Sequence, residues 1–315
     1  LGMLAEAAGG TAAGRADLPI TDVTHDSRRA GPGVLFVAVR GFTADGHAYV
    51  PAALDAGSPA VCVEDPDATG GAPAIVVADT RAALGALAAA VHGHPSHDLD
   101  VIGVTGTNGK TTVTHLLEPI IEEAGLTPGL VGTVGARIAG EPVPVERTTP
   151  EATEFQGLLA TMRDAGADVA AVEVSSHALA LGRVDATRFR LAAFTNLSQD
   201  HLDFHADMED YYRAKASLFQ PERAGRAVVW VDDPAGFGHP EGADAVNAAM
   251  WDLGMGHSYL HKWFDHNGES YGYHAASTGP SWYGMNVMST SDLASFWSQV
   301  GGGEVLGPAR RAVFL

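Results

Sequence analysis

The chain has 315 residues, 46% of them hydrophobic and 18% charged, with 38 acidic against 19 basic side chains and a formal charge of −19. That composition is globular, and the length allows two domains or a little more. The acidic balance excludes wrapping a nucleic-acid backbone, which needs a basic face, but a loop of N–H groups still binds a small phosphate inside an acidic protein.

The single cysteine, Cys62, lies in the apolar run AVCVED. It reads as a small buried hydrophobe in a reducing compartment, with no disulfide and no Cys-based metal site. No apolar run approaches a membrane span, and the start lacks a basic-then-apolar leader. The expectation is a cytoplasmic monomer without membrane insertion. The chain begins at Leu1, so a few native residues are expected to precede it.

In chain order, residues 17–92 read as a small α/β unit. GVLFVAV (33–39) and PAVCVE (59–64) are strand-like runs. YVPAALDAG (49–57) and TRAALGALAAAVHG (80–93) have helical spacing closed by glycine. HGHPSHD (92–98) is a polar linker candidate. The pattern then restarts. LDVIGVTG is a strand feeding a glycine turn, and KTTVTHLLEPIIEEAG is a helix expected to kink near Pro119. In TPEATEFQGLLATMRDAG (149–166), Thr149 is expected to cap a helix that Gly166 ends. DVAAVEVS (168–175), RLAAFTNL (190–197) and RAVVWVD (226–232) read as buried strands, and DMEDYYRAKASLF (207–219) as a helix. Strands alternating with helices imply a parallel sheet with right-handed crossovers.

The strand, turn and helix start at DVIGVTGTNGKTT have the parts of a phosphate loop. Backbone N–H groups at a helix start converge on phosphate, a lysine adds charge, and a hydroxyl reaches Mg²⁺. Gly106, Gly109, Lys110 and Thr111 supply those parts. The strict pattern fails at one place, because Val104 stands where it requires Gly.

TGTNGKTT resembles the form of this loop in the Mur ligases, ATP-dependent amide-forming enzymes of peptidoglycan precursor synthesis. TTPEA (148–152), EVSSHAL (173–179) and FTNLSQDHLDFHADMEDYYRAKASLF (194–219) resemble the same family in the same order. Upstream, THDSRRAGPGVLFVAVRGFTADGHAYVPAALDAG looks like the UDP-binding first domain of its tripeptide-forming branch. The resemblance covers about residues 17–234. It implies an α/β chain with a small N-terminal UDP-binding domain (1–97), a partial P-loop-type parallel-sheet ATP-binding domain (98–234) and an unassigned C-terminal segment (235–315).

The implied reaction adds a third amino acid, meso-diaminopimelate or else L-lysine, to UDP-MurNAc-L-Ala-D-Glu through an acyl phosphate, with ATP and Mg²⁺. The resemblance places Gly106, Thr107, Asn108, Gly109, Lys110, Thr111 and Thr112 on ATP, and Thr111, Glu173 and His201 on the metal. On the residues alone, Glu173 is equally a solvated strand end and His201 a hydrogen-bonded loop histidine. Asp200 and His205 are left outside the metal set. Lys215 on its own reads as a solvated helix-face lysine; the resemblance makes it carbamylated and, with Lys110, catalytic. His25, Ser27, Phe42, Thr43, Ala44, Thr148, Thr149, Ser175 and Arg183 are implied for the UDP-linked substrate. THDSRR reads equally as a capped turn. Leu181 stands where many members carry Gln.

After about Pro234 the character changes. Four of the five tryptophans, Trp251, Trp263, Trp282 and Trp297, lie in this last part. No DNPR-type stretch, the family's marker for diaminopimelate, occurs there. YGMNVMSTSDLASFWSQVGGGEVLGPA (283–309) weakly resembles the end of penicillin-binding serine hydrolases, but their S-x-x-K is absent from the chain. The expectation is a truncated ligase joined to a foreign or frameshifted end. The alternatives are a nucleotide- or UDP-precursor-binding fragment without turnover and, below it, a folylpolyglutamate synthase.

Overall fold

A computed structural model describes residues 1–41 and 44–229. The chain divides into two compact units, one of residues 1–99, 135–167 and 177–187 and the other of residues 100–134, 168–176 and 188 onward.

The first unit is built on a five-stranded sheet. Asp22–Thr24, Val34–Val37, Ala60–Val63 and Ala74–Val76 run parallel in that spatial order, and Thr11–Ala13 closes the far edge antiparallel. Every residue of Ala60–Val63 is buried, which is why AVCV reads as a continuous apolar run rather than an alternating one. Cys62 is fully buried there, and burial pushes its thiol up to about 12. The helix Thr80–Val91 is capped by the Asp79 carboxylate, which accepts from the N–H groups of Arg81 and Ala82. Leu84, Leu87 and Ala88 on this helix pack with Leu35, Val37, Cys62 and Ile75 in one apolar cluster.

The same unit contains the helix Ala152–Asp164, whose N-cap is Glu151 with no side-chain cap bond. Thr149 is therefore not the N-cap expected from sequence. The helix opens two residues too late for it, and Thr149 is instead buried at 1% exposure. The antiparallel strands Gly135–Ile138 and Glu141–Val143 also lie here.

In the second unit the strands Ala227–Val229, Phe189–Phe194, Asp100–Thr105, Val169–Glu173 and Pro128–Gly132 lie side by side, all parallel. The helix Lys110–Glu123 runs through Pro119 without ending. Its Leu117 and Ile121 pack on Ile102, Val104, Val169 and Leu191. The register sets Glu173 beside Val104 and Phe194 beside Thr105, so three strands end together. Ligand-contacting groups collect at such carboxyl ends in open α/β sheets. Among the described residues, no helix is long and apolar enough to cross a membrane.

Candidate functional site

The loop between Thr105 and Lys110 is held from below by the segment after Phe194. The Thr107 N–H donates to the Asn196 carbonyl at 2.9 Å, and the Asn108 N–H to the Asn196 side-chain oxygen at 2.9 Å. Thr195 Oγ1 donates to the Asn108 carbonyl at 2.6 Å. Thr107 Oγ1 accepts from the Ser198 N–H at 2.9 Å and donates to the Ser198 carbonyl at 3.1 Å. The amides of Thr107 and Asn108 are thus engaged within the protein. The helix that follows opens at Gly109, φ 83°, with no side-chain cap. Its first-turn N–H groups, at Lys110, Thr111 and Thr112, have no intrahelical acceptor and carry the positive end of the helix dipole. A phosphate completes such a start.

Gly106 has φ 142°, a region closed to side chains. A Cβ there would also run into Thr195 Oγ1 and the Asn196 backbone. The tight turn is therefore built around a residue that only glycine can be.

Two lysines converge on this turn. Lys110 Nζ donates to the carbonyls of Gly106 and Thr107, both at 2.8 Å. Lys215 Nζ donates to the same Gly106 carbonyl at 2.8 Å. Lys215 is 1% exposed, so the solvated helix-face reading is wrong. Its helix, Met208–Ala216, turns this lysine inward beside the fully buried Tyr211, whose ring centroid lies 4.5 Å from Nζ. Burial first, and the neighbouring Lys110 charge second, pull the Lys215 amine down to about 7. Lys110 is also lowered, by burial, with Glu173 and Asp200 opposing the shift.

Glu173 is fully buried at the end of its strand, which rules out the solvated strand end. Its carboxylate accepts from Thr111 Oγ1 at 2.9 Å, the Thr133 N–H at 2.9 Å and Thr133 Oγ1 at 3.1 Å. Gly132 makes room for it, since a Cβ there would meet the carboxylate. A carboxylate and a hydroxyl side by side are hard oxygen donors. They fit Mg²⁺, which takes one or two protein oxygens and keeps several waters. His201 has φ 53°, pairs with Asp200 at 3.5 Å and stands edge-on to Tyr211 with centroids 6.2 Å apart. Among the described residues, no group of three or more His, Cys, Asp or Glu side chains forms a metal cage. His205 is buried and its Nδ1 lies 3.1 Å from Asp210.

The remaining expected residues fall mostly in the first unit. His25 is half-buried, with burial lowering its imidazole against the raising pull of Glu151 and Glu154. Ser27 begins a short 3-10 turn capped by Asp26. The Arg28 side chain bonded to that carboxylate holds it down to about 2. The capped-turn reading of THDSRR is correct as local structure. Ala44 is exposed and its carbonyl accepts from the Gly41 N–H at 2.9 Å, while Phe42 and Thr43 lie outside the described residues. Arg183 is mostly buried and pairs with Glu151 at 2.9 Å, reaching the Thr149 carbonyl at 3.4 Å. Thr148 is half-buried. Ser175, also half-buried, belongs to the second unit.

Sequence reasoning missed Thr133, Thr195, Asn196 and Tyr211. The last three lie inside the stretch FTNLSQDHLDFHADMEDYYRAKASLF, but no spacing rule ties them to a loop some ninety positions earlier. The expectation that G-x-S-x-G is absent is also corrected: GESYG at 268–272 fits it and lies outside the described residues.

Two family models match the chain: the Mur ligase middle domain over residues 104–280, and the Mur ligase family catalytic domain over residues 19–92. A UDP-N-acetylmuramoyl-L-alanyl-D-glutamate–2,6-diaminopimelate ligase of Streptomyces avermitilis is 49% identical over 239 residues, covering 74% of this chain and 47% of the relative. One of Chlorobaculum tepidum is 48% identical over 237 residues, covering 74% and 46%. A solved structure of an enzyme of the same description superposes with a TM-score of 0.62 at 30% identity, over 76% of this chain and 47% of that one. A D-alanyl-D-alanyl ligase structure from Acinetobacter baumannii, 23% identical with a TM-score of 0.55, shares the fold over 84% of this chain and 53% of its own. The chain spans about half the length of the curated relatives it matches. With the middle-domain model matching more than half of its residues, the chain belongs to the Mur ligase family.

Proposed function

We propose that this chain carries the nucleotide and UDP-precursor sites of an ATP-dependent amide ligase that adds diaminopimelate to UDP-MurNAc-L-Ala-D-Glu. The observation that carries the reading is the convergence of Lys110 and Lys215 on the Gly106 carbonyl beside an uncapped helix start. The relatives at 48–49% identity bear that activity in their names, and it comes to this chain as a proposal because it spans half their length.

In this reading the amides of Lys110, Thr111 and Thr112 hold the ATP phosphates. Lys110 leaves its loop carbonyls for the triphosphate and neutralises charge on the transferring group. The substrate carboxylate attacks the γ-phosphorus and ADP departs. The amino acid's amine then attacks the acyl phosphate, and inorganic phosphate leaves. Glu173 and Thr111 would hold Mg²⁺, with His201 as a further ligand, and a bound ion would supply charge neutralisation at the phosphoryl oxygens. Lys215, with an amine near 7, keeps a large neutral fraction at physiological pH. The neutral nitrogen bonds to the carbon of CO₂ and gives a proton to water, leaving a carbamate anion. In the first unit His25, Ser27 and the turn of Phe42, Thr43 and Ala44 hold the UDP end. Thr148, Thr149 and Arg183 of the same unit are assigned to the muramoyl peptide, and Ser175 of the second unit is assigned to it by the family resemblance alone. Arg183 suits an anion because its fork offers parallel donors. An ATP-consuming step on a UDP-linked precursor belongs in the cytoplasm.

The test is phosphate release from ATP and Mg²⁺ with UDP-MurNAc-dipeptide, with and without diaminopimelate or lysine. Release that depends on diaminopimelate supports the ligase. Binding of both nucleotides without release assigns this chain the sites and not the turnover. Absence of ATP binding rejects the reading.

A further inference from the structure

Tyr211 is fully buried and lies one helical turn before Lys215 on Met208–Ala216. That spacing puts the two side chains on one face. The two ends of the tyrosine have different neighbours. Its ring faces the Lys215 ammonium at 4.5 Å, and Lys215 Nζ meets the Gly106 carbonyl at 2.8 Å. Its hydroxyl lies 3.0 Å from Thr107 Oγ1. Thr107 Oγ1 also lies 3.1 Å from the Ser198 carbonyl and accepts from the Ser198 N–H at 2.9 Å. The two hydroxyls are joined by one hydrogen bond, in which either oxygen can be the donor.

We propose that Tyr211 is a positioning residue: its ring fixes the Lys215 amine in a dry slot against Gly106, and its hydroxyl fixes Thr107. One side chain then holds the amine and the nucleotide loop in a common register. The inference rests on the reading that this loop binds ATP and that Lys215 is a working amine. The ring excludes water from one side of Nζ, and the loop carbonyl takes one N–H. Bond formation at the nitrogen is thereby confined to the direction left open. Lys110 and Asp200 are the charged groups that also act on this amine. The His205 ring packs on the Tyr211 ring at 5.2 Å.

The experiment uses the full chain labelled with ¹³C at the lysine ε-carbons. The sequence has three lysines, Lys110, Lys215 and Lys262, so each resonance is assignable. In Tyr211→Phe the ring stays. The Lys215 titration midpoint should remain at its wild-type value, while ATP affinity falls about two- to tenfold for one lost hydrogen bond. In Tyr211→Leu water reaches the amine. Its midpoint should move up by about one unit or more, and ¹³C-bicarbonate labelling of Lys215 should fall with it. A purely structural role would lower Tm in both variants and leave the midpoint in place, which overturns the proposal. A Tyr211→Phe protein that binds ATP as wild type does, or that moves the midpoint as far as leucine does, also overturns it. If leucine prevents folding, the phenylalanine variant alone decides. If the wild-type chain binds no ATP, the nucleotide reading fails, while the Lys215 midpoint still judges Tyr211.

Discussion

Lys110 and Lys215 donate to one acceptor, the carbonyl oxygen of Gly106, each at 2.8 Å. A carbonyl has two lone pairs and accommodates both. Two ammonium ions at that spacing repel, and the deeper one yields: Lys215 is drawn down to about 7 by burial and by its neighbour. The arrangement joins a cation suited to phosphate with an amine that loses its proton near neutrality.

The Lys110→Ala variant separates these effects. A charge-assisted hydrogen bond contributes about 1.5–3 kcal/mol, so ATP affinity measured by calorimetry should fall by at least about tenfold. The Lys215 midpoint, read by lysine NMR, should rise once the neighbouring cation is gone. Unchanged ATP affinity would show that this loop is not the nucleotide site.

Glu173 gives a second test. Its carboxylate is met by donors from Thr111 and Thr133. Glu173→Gln keeps the shape but removes the anion and turns an amide donor toward other donors. ATP titrations with and without Mg²⁺ should show metal-enhanced affinity in wild type and none in the variant. Equal enhancement in both would take Glu173 out of the metal site.

The strands Val34–Val37, Ala60–Val63, Asp100–Thr105, Val169–Glu173, Phe189–Phe194 and Ala227–Val229 and the phosphate loop were legible because they are local: apolar runs of buried-strand length, and glycine at the two turn positions before Lys110; the three-residue strands Asp22–Thr24 and Ala74–Val76 are too short to show such a run. What escaped depends on distant chain. Lys215 reads as a surface lysine until its helix is laid against Gly106, 109 positions earlier. Thr133 sits in an exposed turn after Pro128–Gly132. That strand went unread because Pro and Gly signal a turn, yet it is a fully buried parallel strand with glycine at two of its five positions. Thr149 carries a capping residue type, but the helix takes Glu151 as its N-cap and Thr149 lies buried two residues before it.

Gly106→Ala tests the shape of the loop without touching a charge. The added Cβ faces the Asn196 backbone at 3.0 Å as well as Thr195, in a φ region that disfavours any side chain. Overpacking of this kind costs about 1–3 kcal/mol. Denaturant unfolding should show that loss, and ATP binding should fall with it because the lysine acceptor shifts. Wild-type stability together with wild-type affinity would mean the turn tolerates a side chain and glycine is not required at 106.

Lys215→Met should stabilise the protein while removing the carbamate. The amine is ordinarily near 10.5 and is held near 7 in the fold. Between those values the unfolded chain binds a proton that the folded chain does not, so wild-type stability rises with pH across that window. Below about 7 the wild type bears the whole cost of a buried cation, and above about 10.5 it bears none of this term. Methionine has no such cost at any pH. In CO₂-free buffer, Tm of the variant should therefore exceed wild type most at pH 6, and the gap should close as pH climbs through 9. A gap that stays constant with pH would mean the lysine keeps its charge in a wet site, and the case for a neutral, carbamate-forming amine would go with it.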